Sequence, residues 1–211
     1  MKVLLINGSP HAKGCTYTAL SEAERQLQNN GIQTEIFYIG NEPVRGCTDC
    51  RACRGKGHCA FDDVVNVCID KIIEADGVVI GAPVYFSGIP GALKCTLDRT
   101  FYDAKRLFAN KPGAALVSCR RGGAGNVYDQ LHKYFGISSM PIMTSQYWNS
   151  VHGDAPEEVI ADREGMQTVR AMADNMAWIL KSIEAGREAG IQPPAKEERI
   201  RTNFYKPEKQ D

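Results

Sequence analysis

Short apolar runs alternate along this chain with longer stretches whose apolar positions recur every three or four residues. Residues 3–6 form a continuous apolar run and predict a buried strand. From about 16 to 30, Ala19, Leu20, Ala23 and Leu27 keep helical spacing, and Gly31 closes the helix. Residues 34–39 predict a second strand. Asp62 or Asp63 caps a second helix with Val64, Val67, Cys68, Ile72 and Ala75 on its inner face. Residues 77–82 are almost wholly apolar, the pattern of a central strand covered on both sides. A third helix over about 91–100 follows, then a fourth strand over 114–118 and a helix over about 126–135. Residues 140–144 predict a fifth strand. The last helix, about 162–185, carries the stripe Met166, Val169, Ala173, Met176, Ile179, Leu180 and Ile183.

Strands alternating with helices predict a parallel sheet with helices on both faces. With strand order 2-1-3-4-5, the loops after strands one, three and four flank one crevice at the topological switch point, where a ligand is expected. The pattern reads as one α/β domain over 1–185, interrupted by a cysteine-rich loop at 40–61. A polar, proline-bearing tail over 186–211 is expected to be an exposed or partner-wrapping arm.

Composition narrows the function classes. Lys+Arg and Asp+Glu both number 25, so the chain lacks the basic balance of a nucleic-acid binder. No apolar run approaches the length of a membrane span. The opening MKVLLING is too short an apolar run for a signal segment, and the expected location is cytoplasmic. Eight cysteines in that setting argue for thiols or metal ligation rather than a disulfide frame.

Three loops carry candidate chemistry. After strand one, GSPHAKGCT places Gly8, Ser9, His11, Lys13, Gly14, Cys15 and Thr16 ahead of a helix N-terminus, a setting that suits a phosphate. It is neither G-x4-G-K-[ST] nor G-x-G-x-x-G. After strand three, Pro83, Val84, Tyr85, Phe86, Ser87 and Gly88 offer aromatic and backbone groups to a flat heteroaromatic ring. After strand four, Ser118, Cys119, Arg120, Arg121, Gly122 and Gly123 offer backbone N–H groups and guanidinium charge to a reduced, anionic ring.

Together these loops resemble the flavodoxin-like NAD(P)H-dependent FMN reductases. That family reads GSPR-x2-GNT after strand one and PVYF/Y-x4-G-x-L-K after strand three, with a glycine-rich loop after strand four. This chain reads GSPHAKGCT, PVYFSGIPGALK and CRRGGAG over about residues 1–153. His11 replaces the usual Arg and Cys15 the usual Asn. The resemblance implies a flavodoxin-like fold, FMN in the crevice and NAD(P)H as co-substrate. It implies Ser9, His11, Cys15 and Thr16 around the phosphate, residues 83–88 along the ring edge, and residues 118–123 near the pyrimidine. It also implies a homodimer or homotetramer.

Between strand two and the second helix, Cys47, Cys50, Cys53 and Cys59 stand in the pattern C-x2-C-x2-C-x5-C. Compact runs of this kind ligate iron–sulfur clusters. Zinc fits less well, because structural zinc draws ligands from two separated knuckles. The run resembles that of the iron–sulfur flavoproteins, in which a [4Fe–4S] cluster passes electrons to FMN. Arg51 and Arg54, between the cysteines, are the expected counter-charges, and His58 is expected to be solvated.

The other thiols are scattered. Cys68 and Cys95 are expected in the core; Cys15 sits at a helix N-terminus, where thiolate is favoured, but packing of the phosphate loop is its expected role. A low-molecular-weight tyrosine phosphatase is excluded, since Cys15 is followed by TYTALS with no C-x5-R. Tyr147, Trp148 and His152 are expected past strand five, over the ring or at a subunit face. No side chain is assigned as catalytic, because the flavin carries the hard chemistry. Three readings remain. The first is an oxidoreductase taking electrons from NAD(P)H to a quinone, flavin, azo or nitro acceptor. The second is an iron–sulfur electron carrier fed by ferredoxin. The third is a flavin-binding redox sensor with a thiol switch.

Overall fold

The computed structural model describes residues 1–195, 197, 198, 200 and 202. Its sheet contains β1 (Lys2–Asn7), β2 (Gln33–Tyr38), β3 (Gly77–Pro83), β4 (Gly113–Cys119) and β5 (Ser150–His152), ordered β2-β1-β3-β4-β5. Every pairing is parallel. The helices are α1 (Cys15–Asn29), α2 (Val64–Glu74), α3 (Gly91–Tyr102), α4 (Ala124–Ile137), α5 (Pro156–Ala161) and α6 (Arg163–Glu188). The expected flavodoxin-like architecture is therefore present.

Alternation along each strand divides the core in two. Leu4, Ile6, Val78, Ile80, Ala115 and Val117 face α2, α3 and α4. Val3, Leu5, Val79, Ala114 and Leu116 face α1 and α6. Helix α1 lies close against β3 because Gly81 has no side chain. A Cβ there would stand 2.8 Å from Leu20 Cδ1 and 2.9 Å from Thr16 Cγ2. That close approach brings the first turn of α1 to the carboxyl end of the sheet.

The predicted fifth strand at 140–144 is corrected. Ile142 forms only an isolated bridge to Gly113. Proline at 141 has no N–H to extend a ladder. The chain then leaves the sheet and returns as β5 beside Val117, Ser118 and Cys119. Asn149, fully buried, spans the interval: its Nδ2 donates to Ala115 O at 3.1 Å and to Met143 O at 3.3 Å. The edge of β4 is thus covered in two pieces joined by a side-chain amide.

Smaller differences follow from the ends of packing surfaces. Val67 is exposed, and Val65 and Ile69 join Cys68 and Ile72 on the inner face of α2. Ile183 is exposed because the last turns of α6 run past the sheet. The tail expected from 186 onward begins in α6, which continues to Glu188. Much of its remainder lies outside the described residues.

Candidate functional site

Four loops converge at the carboxyl ends of β1, β3, β4 and β5. Asn7, buried at the end of β1, shapes the first of them. Its Oδ1 accepts from Ser9 N at 3.1 Å, and its Nδ2 donates to Ala12 O at 3.2 Å. Ser9 Oγ accepts from His11 N at 3.1 Å. The Thr16 and Ser118 hydroxyls bond each other at 2.7 Å. Ser9 Oγ, which accepts from His11 N, keeps its own hydrogen free to donate. What the loop presents is the start of α1, where Gly14 supplies no side-chain cap. First-turn N–H groups left without caps favour an anion. His11 and Lys13 are exposed beside them.

Cys15 is half-buried, and its Sγ lies 3.7 Å from Gly153 O as a donor. Burial first, then the Asp154, Glu158 and Glu157 carboxylates, push its thiol upward despite the helix N-terminus. Burial thus opposes the helix N-terminus at this thiol.

The β3 loop is a tight turn. Tyr85 and Gly88 exchange backbone hydrogen bonds at 2.9 and 2.8 Å, with Phe86 at φ 49° and Ser87 at φ 58°. Both central residues occupy the left-handed region that glycine or asparagine usually fills, at a cost of about 1–3 kcal/mol each. This strained turn holds the Phe86 ring fully exposed at the crevice, with Tyr85 half-exposed beside it. Val84 N donates to Ser118 O at 3.1 Å. Gly123, at φ 86°, lies against Ser87: a Cβ there would fall 2.7 Å from Ser87 Oγ. Gln130 of α4, unmarked by any motif, accepts from Ile89 N at 3.3 Å and fixes the far end of the turn. Arg120, Arg121 and Gly122 are exposed past β4.

His152 ends β5 next to Cys119. Tyr147 and Trp148 do not follow the fifth strand; they precede it, their rings tilted 55° with centroids 4.9 Å apart, and both are exposed. The expected order is corrected, because the strand lies later in the chain than its apolar pattern suggested.

The cysteine loop lies beside the α2–α3 face. Cys47, Cys50, Cys53 and Cys59 line one cavity with Phe61, Arg99 and Tyr102. Its enclosed volume is about 20 Å³, roughly one water. The loop is held by its flanks. Asp103 accepts from Gly55 N and Gly57 N at 3.3 and 2.9 Å. Asn66 accepts from Cys59 N at 2.8 Å and donates to Cys59 O at 3.1 Å. Tyr102 bonds Asp49. Burial and the Asp103 carboxylate push the Cys53 thiol up.

Arg51 borders the cavity but pairs with Asp49 at 3.3 Å, and Arg54 is exposed. The buried cation is Arg99 of α3, which no cysteine spacing could indicate. Its sequence signal was an arginine between Thr96, Leu97, Thr100 and Phe101, all buried positions. His58 pairs with Asp70 at 2.6 Å, away from the thiols. Cys68 is buried in the core as expected, while Cys95 is only half-buried, near Gly46.

Among the described residues, no three Cys, His, Asp or Glu side chains converge on a point that would hold a single metal ion. Zinc requires such convergence. A cubane takes one thiolate at each of four irons, so its ligands surround a volume. The four thiols here line one cavity, a donor set of the right chemistry.

The comparisons agree with this architecture. An iron–sulfur flavoprotein of Methanocaldococcus jannaschii is 32% identical over 194 residues, covering 87% of this chain and all of that protein. An iron–sulfur flavoprotein of Methanosarcina thermophila is 31% identical over 193 residues, covering 89% of this chain and all of that protein. Among solved structures, RosB with a bound 8-demethyl-8-formylriboflavin-5′-phosphate intermediate superposes with a TM-score of 0.68 at 18% identity, over 98% of this chain and 93% of RosB. An NAD(P)H:quinone oxidoreductase from Methanothermobacter marburgensis gives 0.65 at 15% identity, over 83% of this chain and 96% of that one; at such identities the likeness shows the fold. The model of the NADPH-dependent FMN reductase family matches residues 1–155. The chain belongs to that family of flavin-dependent oxidoreductases, on the side of its iron–sulfur flavoprotein relatives.

Proposed function

We propose that this oxidoreductase holds FMN in the crevice and a [4Fe–4S] cluster on the cysteine loop, and passes electrons between them and a small flat acceptor. The observation that carries the reading is that all four cysteines line one cavity. When bound, FMN supplies the exchange between two-electron and one-electron chemistry.

The chain's own residues bind and orient. The uncapped start of α1, with His11 and Lys13, favours the phosphate, while Ser9, Cys15 and Thr16 shape the loop behind it. Residues 83–88 present Tyr85 and Phe86 to the ring edge. Residues 118–123 place backbone N–H groups, Arg120 and Arg121 on the pyrimidine side, where positive charge favours a reduced anionic ring. Cys47, Cys50, Cys53 and Cys59 would ligate the cluster.

The family's name supports NADPH as electron source; a quinone, flavin, azo or nitro compound is the proposed acceptor, and ferredoxin is the alternative source suited to a cluster. Exposed Phe86, Tyr147, Trp148 and Trp178 favour a homodimer or homotetramer, which light scattering above the 23.2 kDa monomer mass would register. Anaerobic purification with iron, sulfide and flavin assays tests the central reading. About four irons and one FMN per chain are expected, and Cys50→Ser should lose the iron and keep the FMN. Iron-free protein after iron-supplemented anaerobic expression leaves the plain FMN reductase.

A further inference from the structure

Helix α3 joins the two sites. It begins directly after the β3 turn at Gly91, and Arg99 lies eight residues on, about 12 Å along the axis at 1.5 Å per residue. Arg99 is 4% exposed. A guanidinium so buried is retained only when its donors are matched. Arg99 Nε and Nη2 donate to Cys59 Sγ at 3.3 and 3.2 Å. Nη1 and Nη2 donate to the two Asp63 carboxylate oxygens at 2.6 and 3.0 Å. The remaining bonds reach Arg45 O at 3.3 Å and Phe61 O at 3.2 Å.

All of these acceptors lie on the cysteine loop or at its exit into α2. Asp63 is also the cap of α2, accepting from Val65 N at 3.1 Å. Arg45 stacks on Phe61 at 4.2 Å instead of reaching a sulfur. Among the described residues, Cys59 is the thiol of the four that receives guanidinium hydrogen bonds. Asn66 holds the same residue by its backbone.

We infer that Arg99 is a positioning residue that orients Cys59 Sγ toward the cavity and sets the reduction potential of a cluster held there, with Asp63 limiting how much of its charge the sulfur receives. The inference rests on the cluster reading above. Hydrogen bonds to ligand sulfurs and net charge are the protein's means of tuning such potentials. A buried cation favours the more negative, reduced state; the paired carboxylate opposes it.

The test uses the full chain, purified anaerobically with its cluster and FMN, in four forms: wild type, Asp63→Asn, Arg99→Lys, and Arg99→Met with Asp63→Asn. Asparagine retains the helix cap, and the double variant leaves no buried carboxylate unpaired. The cluster potential is read by equilibrium redox titration, with the FMN potential as internal control. Asp63→Asn should make the cluster potential less negative than wild type. The double variant should lie below Asp63→Asn by at least 59 mV, a tenfold change for one electron. Arg99→Lys should fall between wild type and the double variant. A brace that only holds the fold would not raise the cluster potential in Asp63→Asn and lower it again when Arg99→Met is added. Iron lost from the double variant but kept by Arg99→Lys and Asp63→Asn, with FMN bound throughout, also supports the inference. Equal potentials in Asp63→Asn and the double variant, or iron lost equally from all variants, would overturn it. Wild-type protein without iron would overturn the cluster reading itself, a distinct result.

Discussion

Thr16 Oγ1 and Ser118 Oγ lie 2.7 Å apart, joining the first turn of α1 to the end of β4. Both side chains are buried, and one hydroxyl donates to the other. Thr16→Val keeps the shape and orphans the Ser118 hydroxyl, which costs about 1–3 kcal/mol. Adding Ser118→Ala should recover part of that loss. Urea unfolding of both single variants and the double checks it; strictly additive losses would contradict the coupling.

Gly123 holds the β3 and β4 loops together at φ 86°. Gly123→Ala meets both the left-handed penalty and Ser87, and should destabilise the protein by about 1–3 kcal/mol while weakening FMN binding. Gly122 has open space around a Cβ, so Gly122→Ala should be near neutral. Thermal unfolding and flavin titration of the pair separate the two.

Ser87 is left-handed without being glycine. Ser87→Gly should relieve strain and stabilise the protein by about 1 kcal/mol. If the strain serves to present Phe86, the same change should lower acceptor turnover while melting temperature rises. Steady-state assays beside calorimetry would show it; a lower melting temperature would contradict the strain.

Glu22 joins α1 to α6. It accepts from Arg25 and from Arg170 Nη1, the latter at 2.7 Å. The Arg25 hydrogen bond, with help from Arg170 and against partial burial, holds its carboxyl below the ordinary 4.5. A depressed carboxylate contributes stability above the unfolded value and loses it as pH falls through the folded one. Stability should therefore decline with acid below about pH 4.5, the unfolded-chain value. Glu22→Gln should cost about 1 kcal/mol near neutrality, since the pair is partly solvated. Its penalty should shrink in acid, and urea unfolding as a function of pH checks the sign.

Burial pushes the Cys68 thiol up to about 12, and Cys119 is also raised by burial. In metal-free native protein at pH 8, iodoacetamide should label exposed Cys47 and Cys50 and spare Cys68 and Cys119 until unfolding. Peptide mass spectrometry reads the order.

Much of the fold was legible because local pattern and burial coincide in its centre. Residues 77–82 are apolar throughout, since β3 is covered on both faces. Ala19, Leu20, Ala23 and Leu27 share one face of α1, and all four are buried. The edge was not legible, because β5 pairs with only three residues of β4 and buries only Val151. The more apolar segment at 140–144 carries the stronger strand pattern but contains Pro141. Its backbone partners are met by single bonds and by Asn149.

At the site, the sequence by itself determined which residue types gather: four thiols at fixed spacing, glycine-rich loops and a helix start, each set by covalent neighbours. Their partners depend on side chains brought together from distant segments. Thr16 finds Ser118 across 102 residues, and Arg99 finds Cys59 across 40. Those pairings form only when α1 docks on Gly81 and α3 packs beside the cysteine loop. A buried hydroxyl or guanidinium then takes whichever acceptor that packing places in reach, because leaving it unpaired costs more than any local preference.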